Sequence, residues 1–287
     1  VKQLFNCESV LNQVQSKQEF VMENIILLLE MLGKEEPDQA MGNQCNNPYA
    51  CDFQIYCRSL LPFREVPVPD HTPSVRKESI RNWLDRYGYP LYFFDFETIM
   101  PAVPLFSESR PYQQIPFQYS LHYRESKENT PEHMAYLAWP EGDPRPALIE
   151  QLIRETARPG KILVYNMNFE KQRLQEMARD FPEYREQLHS IIHRLEDLMI
   201  PFRSRDWHTP SMGRGYSIKA VLPLMAPELS YKDLEISDGG EASSRFAALY
   251  GITDSELIDQ TREALLKYCH LDTWGMVRIV EELEKVQ

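Results

Sequence analysis

Three short stretches of this sequence carry side chains that could do chemistry together. The first is Phe93-Phe94-Asp95-Phe96-Glu97-Thr98. Side chains alternate along an extended chain, so Asp95 and Glu97 share one face and Phe94 and Phe96 the other. Two neighbouring carboxylates on an apolar strand repel each other and resist burial. They are tolerated at a solvated strand end or around a shared cation, and hard oxygen donors suit Mg2+ or Mn2+. A strand whose polar face meets water would give the same pattern.

The second stretch is Val164-Tyr165-Asn166-Met167-Asn168-Phe169-Glu170. It reads as a strand ending at Asn166 and a helix starting near Asn168, with Glu170 in the first turn, where the helix dipole favours a carboxylate. The third is Tyr268-Cys269-His270-Leu271-Asp272-Thr273. Tyr268 and Asp272 are four apart and share a helical face. Leu265, Leu266, Leu271 and Met276 make this helix largely apolar, so a carboxylate within it needs a partner.

In this order the three stretches resemble the motifs of the DnaQ-like (DEDD) 3′-to-5′ exonucleases, whose fold is RNase H-like. The resemblance spans about residues 91–280. Tyr268, with Lys267 where a histidine would otherwise stand, is similar to the tyrosine subclass. The middle motif of that family usually ends in Asp, and here it ends in Glu170, with Asp197 as the rival for the same slot. The chain also resembles a bacterial family of unknown function that carries such a domain. The matching pieces are Tyr-Phe-Phe-Asp-Phe-Glu-Thr at 92–98, Pro-Phe-Gln-Tyr-Ser at 116–120, Tyr-Ser-Ile-Lys-x-Val-Leu-Pro at 216–223 and Tyr-Cys-x-x-Asp-Thr at 268–273.

The resemblance implies a metal-dependent exonuclease acting on single-stranded DNA or RNA ends. Two Mg2+ or Mn2+ ions roughly 4 Å apart would clamp the scissile phosphate. Asp95 would bridge them, Glu97 and Asp272 would complete one shell, and Glu170 would support the other. Tyr268 would hold or orient the attacking water, since a phenol with a pKa near 10 is a poor base at neutral pH. The alternative is a catalytically weak or inactive nucleic-acid-binding module of a larger iron–sulfur nuclease.

Around residues 203–219 the acidic balance of the chain reverses. Arg203, Arg205, Arg214 and Lys219 stand against Asp206, with Trp207, His208 and Tyr216 interleaved. Cations for phosphates and rings for stacking suit a single strand. With Asn166 and Phe169 these residues are the candidate substrate contacts. Tyr112, Gln113, Gln114, Phe117 and Gln118 are candidates for a groove beside the acidic strand. A solvated loop with one or two buried rings would read the same way.

Cys45, Cys51 and Cys57 form a compact series with five residues in each gap. Zinc ribbons prefer two-residue gaps, so zinc fits poorly. The segment resembles the C-terminal cysteine triplet of iron–sulfur nucleases related to CRISPR-adaptation and AddB-type enzymes. That implies a [4Fe–4S] cluster, which takes four thiolates, in a longer protein. The chain opens on Val1 rather than Met, and we expect it to be the tail of such a protein, with an N-terminal nuclease domain as partner. Cys7 is a candidate fourth ligand, although its spacing is not the family's.

The elements that must position these groups can be read from periodicity and breakers. Residues 1–35 are helical by apolar spacing, and 1–61 form a small helical, cysteine-rich segment. Pro62, Pro67, Pro69 and Pro73 mark a linker, which with a helix over 75–87 fills 62–90. An α/β domain occupies 91–287: a mixed sheet flanked by helices. Strands at 91–98, 117–123 and 134–139 predict an antiparallel meander. A helix capped by Asp143, a strand at 162–165, helices at 169–178 and 183–200, and a long helix over 255–284 follow.

The 287 residues suffice for about two domains. The 43 acidic residues exceed the 31 basic ones, giving a net charge of −12 and counting against non-specific phosphate binding. A metal-dependent nuclease stays open, because bound cations invert the local field. Apolar runs such as Ile25–Leu29 fall far short of the roughly 18 residues of a membrane span. No basic-then-apolar leader is seen. An odd number of cysteines, most of them before residue 60, predicts a reducing, cytoplasmic setting.

Overall fold

The computed structural model describes residues 9–33, 42, 45, 51, 53, 54, 56, 57, 74–212, 215–232 and 234–286. Cys7, Arg214 and the proline-rich stretch 62–73 lie outside the described residues. The chain divides into two compact units, Val1–Asp70 and His71–Gln287. In the first, α1 (Leu11–Ser16) and α2 (Gln18–Leu32) form the helical stretch anticipated from apolar spacing, and Phe20, Ile26 and Leu29 on α2 are exposed. The Cys51 N–H donates to the Cys45 carbonyl (2.9 Å) and that of Cys57 to the Phe53 carbonyl (2.9 Å). Among the described residues no helix is long and apolar enough to cross a membrane.

The larger unit is built on a five-stranded mixed sheet. Its strands are β1 (Leu91–Ile99), β2 (Ile115–Arg124), β3 (Glu132–Leu137), β4 (Lys161–Val164) and β5 (Leu195–Asp197), in spatial order β3-β2-β1-β4-β5. The first three form the predicted antiparallel meander, and β4 and β5 add in parallel on the other side of β1. β1 is therefore central and covered on both faces, which accounts for its nearly continuous run of apolar residues.

Helices close both faces. On one side α4 (Arg145–Glu155), α5 (Asn168–Asp180) and α6 (Arg185–Arg194) cover Tyr92, Phe94 and Phe96 through Leu148, Leu152, Leu174 and Leu188. On the other, α3 (Lys77–Asp85), α7 (Ile218–Met225) and α9 (Ser255–Lys285) pack Ile80, Trp83, Leu222 and Met276 around Phe93 and Leu163. α8 (Gly239–Ala248) closes the far end, where Phe246 stacks on Phe117 at 3.9 Å. Gly275 in the middle of α9 is required by proximity, since a Cβ there would meet Leu222 Cδ2 at 2.8 Å.

Several expectations change. Ile80 and Trp83 make α3 part of the larger unit's core, so this helix is not a spacer between domains. The helix expected over 183–200 stops at Arg194, and Leu195–Asp197 becomes the fifth strand. Pairing beside β4 buries Leu195 and Asp197 and overrides the helical propensity of Leu and Glu. Asp143 does engage the start of α4, its Oδ1 accepting the Arg145 N–H at 3.0 Å.

A carboxylate pocket at the strand ends

In a sheet of this kind, ligand crevices form beyond the carboxyl ends of the parallel strands. The acids gather there. Asp95 and Glu97 lie on the second half of β1, facing α9, and pair with Ser120 and Gln118 of β2. After β4 the chain turns at Asn166, whose φ of 71° is left-handed, a conformation Asn accepts better than most residues. This turn sets Glu170 in the first turn of α5. Asp197 ends β5, and Asp272 and Tyr268 come from α9.

Asp95, Glu97, Tyr268 and Asp272 line a common cavity of about 620 Å³ with Asn166, Tyr216 and Lys219. Glu170 does not line it but is buried beside Asp95, the two carboxyls within hydrogen-bond reach. Its Oε2 is buried with no donor facing it. Burial raises Asp95 well above the usual carboxylate range, and the charges of Asp272, Glu97 and Glu170 push it further. Burial and Asp272 do the same to Glu97. Burial pushes Glu170 up to about 8 and Asp272 up to about 6, the latter against the Tyr231 hydroxyl, which favours its anion.

Cationic compensation is sparse. Lys219 Nζ donates to the Ser237 carbonyl at 2.8 Å and lies 5.6 Å from the Tyr268 ring centroid and 5.4 Å from that of Tyr231. It lowers Glu97 and Asp272 electrostatically. Among the described residues, the metal-ligating atoms that converge within 4.8 Å of one another here are those of Asp95, Glu97 and Cys269, a set that includes neither Asp272 nor Glu170; burial and the carboxylate charges hold Cys269 as a thiol.

Glu170 and Asp197 take different roles. Asp197 Oδ1 accepts the N–H groups of Asn166 (3.2 Å) and Met199 (3.0 Å), and its Oδ2 lies 4.0 Å from Arg203. It ties down the turn after β4, whereas Glu170 is the acid that reaches Asp95. The residue that sequence reasoning missed is Tyr231. Its hydroxyl donates to Asp272 Oδ1 at 2.6 Å from a loop with no periodic signal. Burial of Tyr268 next to Asp272 raises its phenol and keeps it protonated.

The candidate substrate residues divide. Asn166, Tyr216 and Lys219 line the pocket, and the Tyr216 carbonyl accepts the Tyr165 hydroxyl at 2.8 Å. Arg203 and Arg205 are exposed. Phe169 instead lines a neighbouring groove with Tyr112, Gln113, Gln114 and Arg173. Phe117 and Gln118, also anticipated for that groove, are fully buried; Gln118 Nε2 donates to the Leu265 carbonyl at 2.8 Å. Trp207 packs against Phe202, and His208 is buried in a two-stranded ribbon with Ser74, so neither ring is presented for stacking. Cys45, Cys51 and Cys57 are free thiols. They belong to neither of the two sets of three metal-ligating side chains that converge within 4.8 Å among the described residues.

Residues 92–217 match a domain of unknown function (DUF2779), a segment that carries Asp95, Glu97, Glu170 and Asp197 and stops short of Asp272. The chain is 29% identical over 205 residues to an uncharacterized protein of Mycoplasma pneumoniae, covering 65% of this chain and 31% of that protein. It is 28% identical over 215 residues to an uncharacterized protein of Mycoplasma genitalium (66% and 31%). It is 27% identical over 227 residues to one of Ureaplasma parvum (68% and 31%). The chain thus spans about a third of the length of the curated relatives it matches. No solved structure matches it.

Proposed function

We propose that this chain is a divalent-metal-dependent 3′-to-5′ exonuclease domain acting on single-stranded nucleic-acid ends. One observation carries the reading: Asp95, Glu97 and Asp272, drawn from a strand and a late helix, line one cavity, and Glu170 from a strand-to-helix junction is buried beside Asp95, with little cationic charge to balance them. The mixed sheet flanked by helices agrees with the RNase H-like fold that the motifs imply.

The donor set fits Mg2+ or Mn2+. All four side chains offer hard oxygens, and Glu170 Oε2 is a buried acceptor with nothing donating to it. Asp95, Glu97 and Asp272 would hold one ion, and Asp95 with Glu170 a second. When bound, such ions supply Lewis-acid stabilisation of the charge that develops on a phosphodiester during hydrolysis.

The chain's own groups have separable tasks. The Tyr231 hydroxyl fixes the rotamer of Asp272. Tyr268 stays protonated at neutral pH, so its Oη donates a hydrogen bond to the incoming water or to a non-bridging phosphate oxygen and does not act as base. Lys219 at the pocket wall neutralises a phosphate. Exposed Arg203 and Arg205 draw the strand in, and Tyr216, 42% exposed at the rim, offers a ring for a terminal base.

The test uses single-stranded DNA and RNA labelled at the 5′ or the 3′ end, with Mn2+ or Mg2+, beside an Asp95→Ala control. The proposal predicts shortening from the 3′ end that needs the cation and falls roughly 10³-fold in the control. Equal degradation by both proteins contradicts it. Metal-dependent strand binding without cleavage would favour the module reading, which the Glu170 substitution in the middle motif motivates. The same proposal extends to a [4Fe–4S] cluster on Cys45, Cys51 and Cys57 in a longer protein. Iron analysis of an anaerobically purified full-length protein tests that part.

A further inference from the structure

A second convergence lies away from the carboxylates. His122 on β2 stands directly opposite His133 on β3, and His270 comes from α9. The ring centroids are 4.5 Å apart for His122 and His133, 5.0 Å for His122 and His270, and 4.5 Å for His133 and His270. One ring nitrogen from each lies within 4.8 Å of the other two.

Hydroxyls fix two of these rings from outside. Thr273 Oγ1 lies 2.9 Å from His122 Nδ1 and Ser120 Oγ lies 3.0 Å from His133 Nε2, with 2.6 Å between the hydroxyls. This leaves Nε2 of His122 and Nδ1 of His133 for another partner. Outer hydrogen bonds of this kind orient imidazoles for metal binding. Among the described residues no side chain hydrogen-bonds the His270 ring, so the hydroxyl network does not account for its place in the cluster.

We propose that His122, His133 and His270 form a binding site for a zinc-class divalent cation, with a fourth position open to water or a small anion. Borderline cations prefer imidazole donors, unlike the hard cations suited to the carboxylate pocket. His133 and His270 line a cavity of about 540 Å³ together with Glu228, Ser230, Glu263 and Lys267, none of which lines the carboxylate pocket. A tetrahedral zinc with ~2.05 Å bonds needs its nitrogens ~3.3 Å apart. Exposed His133 and half-buried His270 have room to close that distance, while buried His122 is held by Thr273. Burial and the neighbouring rings lower His122 to about 3, so it is neutral near pH 7.

The test is Zn2+ binding by the full chain in an Asp95→Asn/Asp272→Asn background, which removes the carboxylate pocket from the titration. Competition against a chromophoric chelator should show one more tight equivalent in that parent than in a derivative also carrying His133→Ala and His270→Ala. At least a 100-fold affinity loss is expected at that equivalent. Any zinc on the cysteines is common to both proteins and cancels. If the double-histidine derivative does not fold, His133→Ala alone, at an exposed position of edge strand β3, is read the same way. Independently, Co2+ added to the parent should give the intense visible absorption of a four-coordinate nitrogen site. Equal zinc stoichiometry and affinity in parent and derivative, or a weak six-coordinate cobalt spectrum, overturns the proposal.

Discussion

Two regions of this molecule bury charge in opposite ways. At the start of α4, the Arg145 guanidinium is almost fully enclosed and grips Asp143 at 2.7 Å and Asp180 at 3.2 Å, while Gln113 donates to Asp180 at 2.9 Å. Every charge there has a counter-charge or a hydrogen bond, and the Phe181 ring covers the cation at 4.9 Å. At the strand ends, Asp95, Glu97 and Asp272 share a pocket and Glu170 is buried beside Asp95, with Lys219 near Glu97 and Asp272 and Arg173 near Glu170 as the cations. The first region is a closed structural unit. The second is a set of buried acids under mutual repulsion, which on the proposed reading is the metal-binding site.

Breaking the closed unit should have the largest effect. Arg145→Ala leaves Asp143 without its cation and Asp180 with Arg179 alone, and is expected to cost about 3 kcal/mol, measured by chemical denaturation. A loss below about 1 kcal/mol would show that the two regions differ less than their geometry suggests.

A pH titration sharpens the contrast. Glu170 is raised to about 8 from an ordinary 4.5, so the folded protein holds a proton that the unfolded chain releases. Without divalent ions, stability should therefore fall as pH rises towards 8. Below about 6.5 the cluster histidines pull the other way, because lowered His122 and His133 make the folded state bind fewer protons than the unfolded one. The window from 6.5 to 8 isolates the carboxylates, and a loss of about 2 kcal/mol is expected across it, reduced in Glu170→Gln. A flat or rising profile in the metal-free protein would remove the stored repulsion from the account.

Smaller effects discriminate further. Tyr231→Phe removes the hydroxyl that orients Asp272 and should weaken Mn2+ affinity by about 10-fold to 100-fold while leaving the fold intact. Asp95→Asn relieves repulsion and should stabilise the metal-free protein by roughly 1 kcal/mol. A destabilised Asp95→Asn would mean that this carboxylate is satisfied in the resting fold.

The sheet was legible wherever local pattern and burial agree. The aromatic run of β1, the meander and the long α9 follow from periodicity and breakers. β5 was not legible, because three residues with helical leanings become a strand only by pairing with β4. The acids were legible as pieces, since Asp-x-Glu on a strand and Tyr-x-x-x-Asp on a helix each imply a shared face. Their meeting, the choice of Glu170 over Asp197 beside Asp95, and the contribution of Tyr231 depend on the turn at Asn166 and on loop paths with no periodic signal. The histidine cluster was invisible for a related reason. His122 and His133 are neighbours only through the register of β2 against β3, and a one-residue slip would place them on opposite faces.

Titration of Mn2+ into the metal-free full chain, following the resonance of free Mn2+, tests the central claim most directly. The account predicts saturable binding that Asp95→Asn and Asp272→Asn each abolish and that His133→Ala leaves intact. Undiminished Mn2+ binding in both carboxylate variants would contradict it.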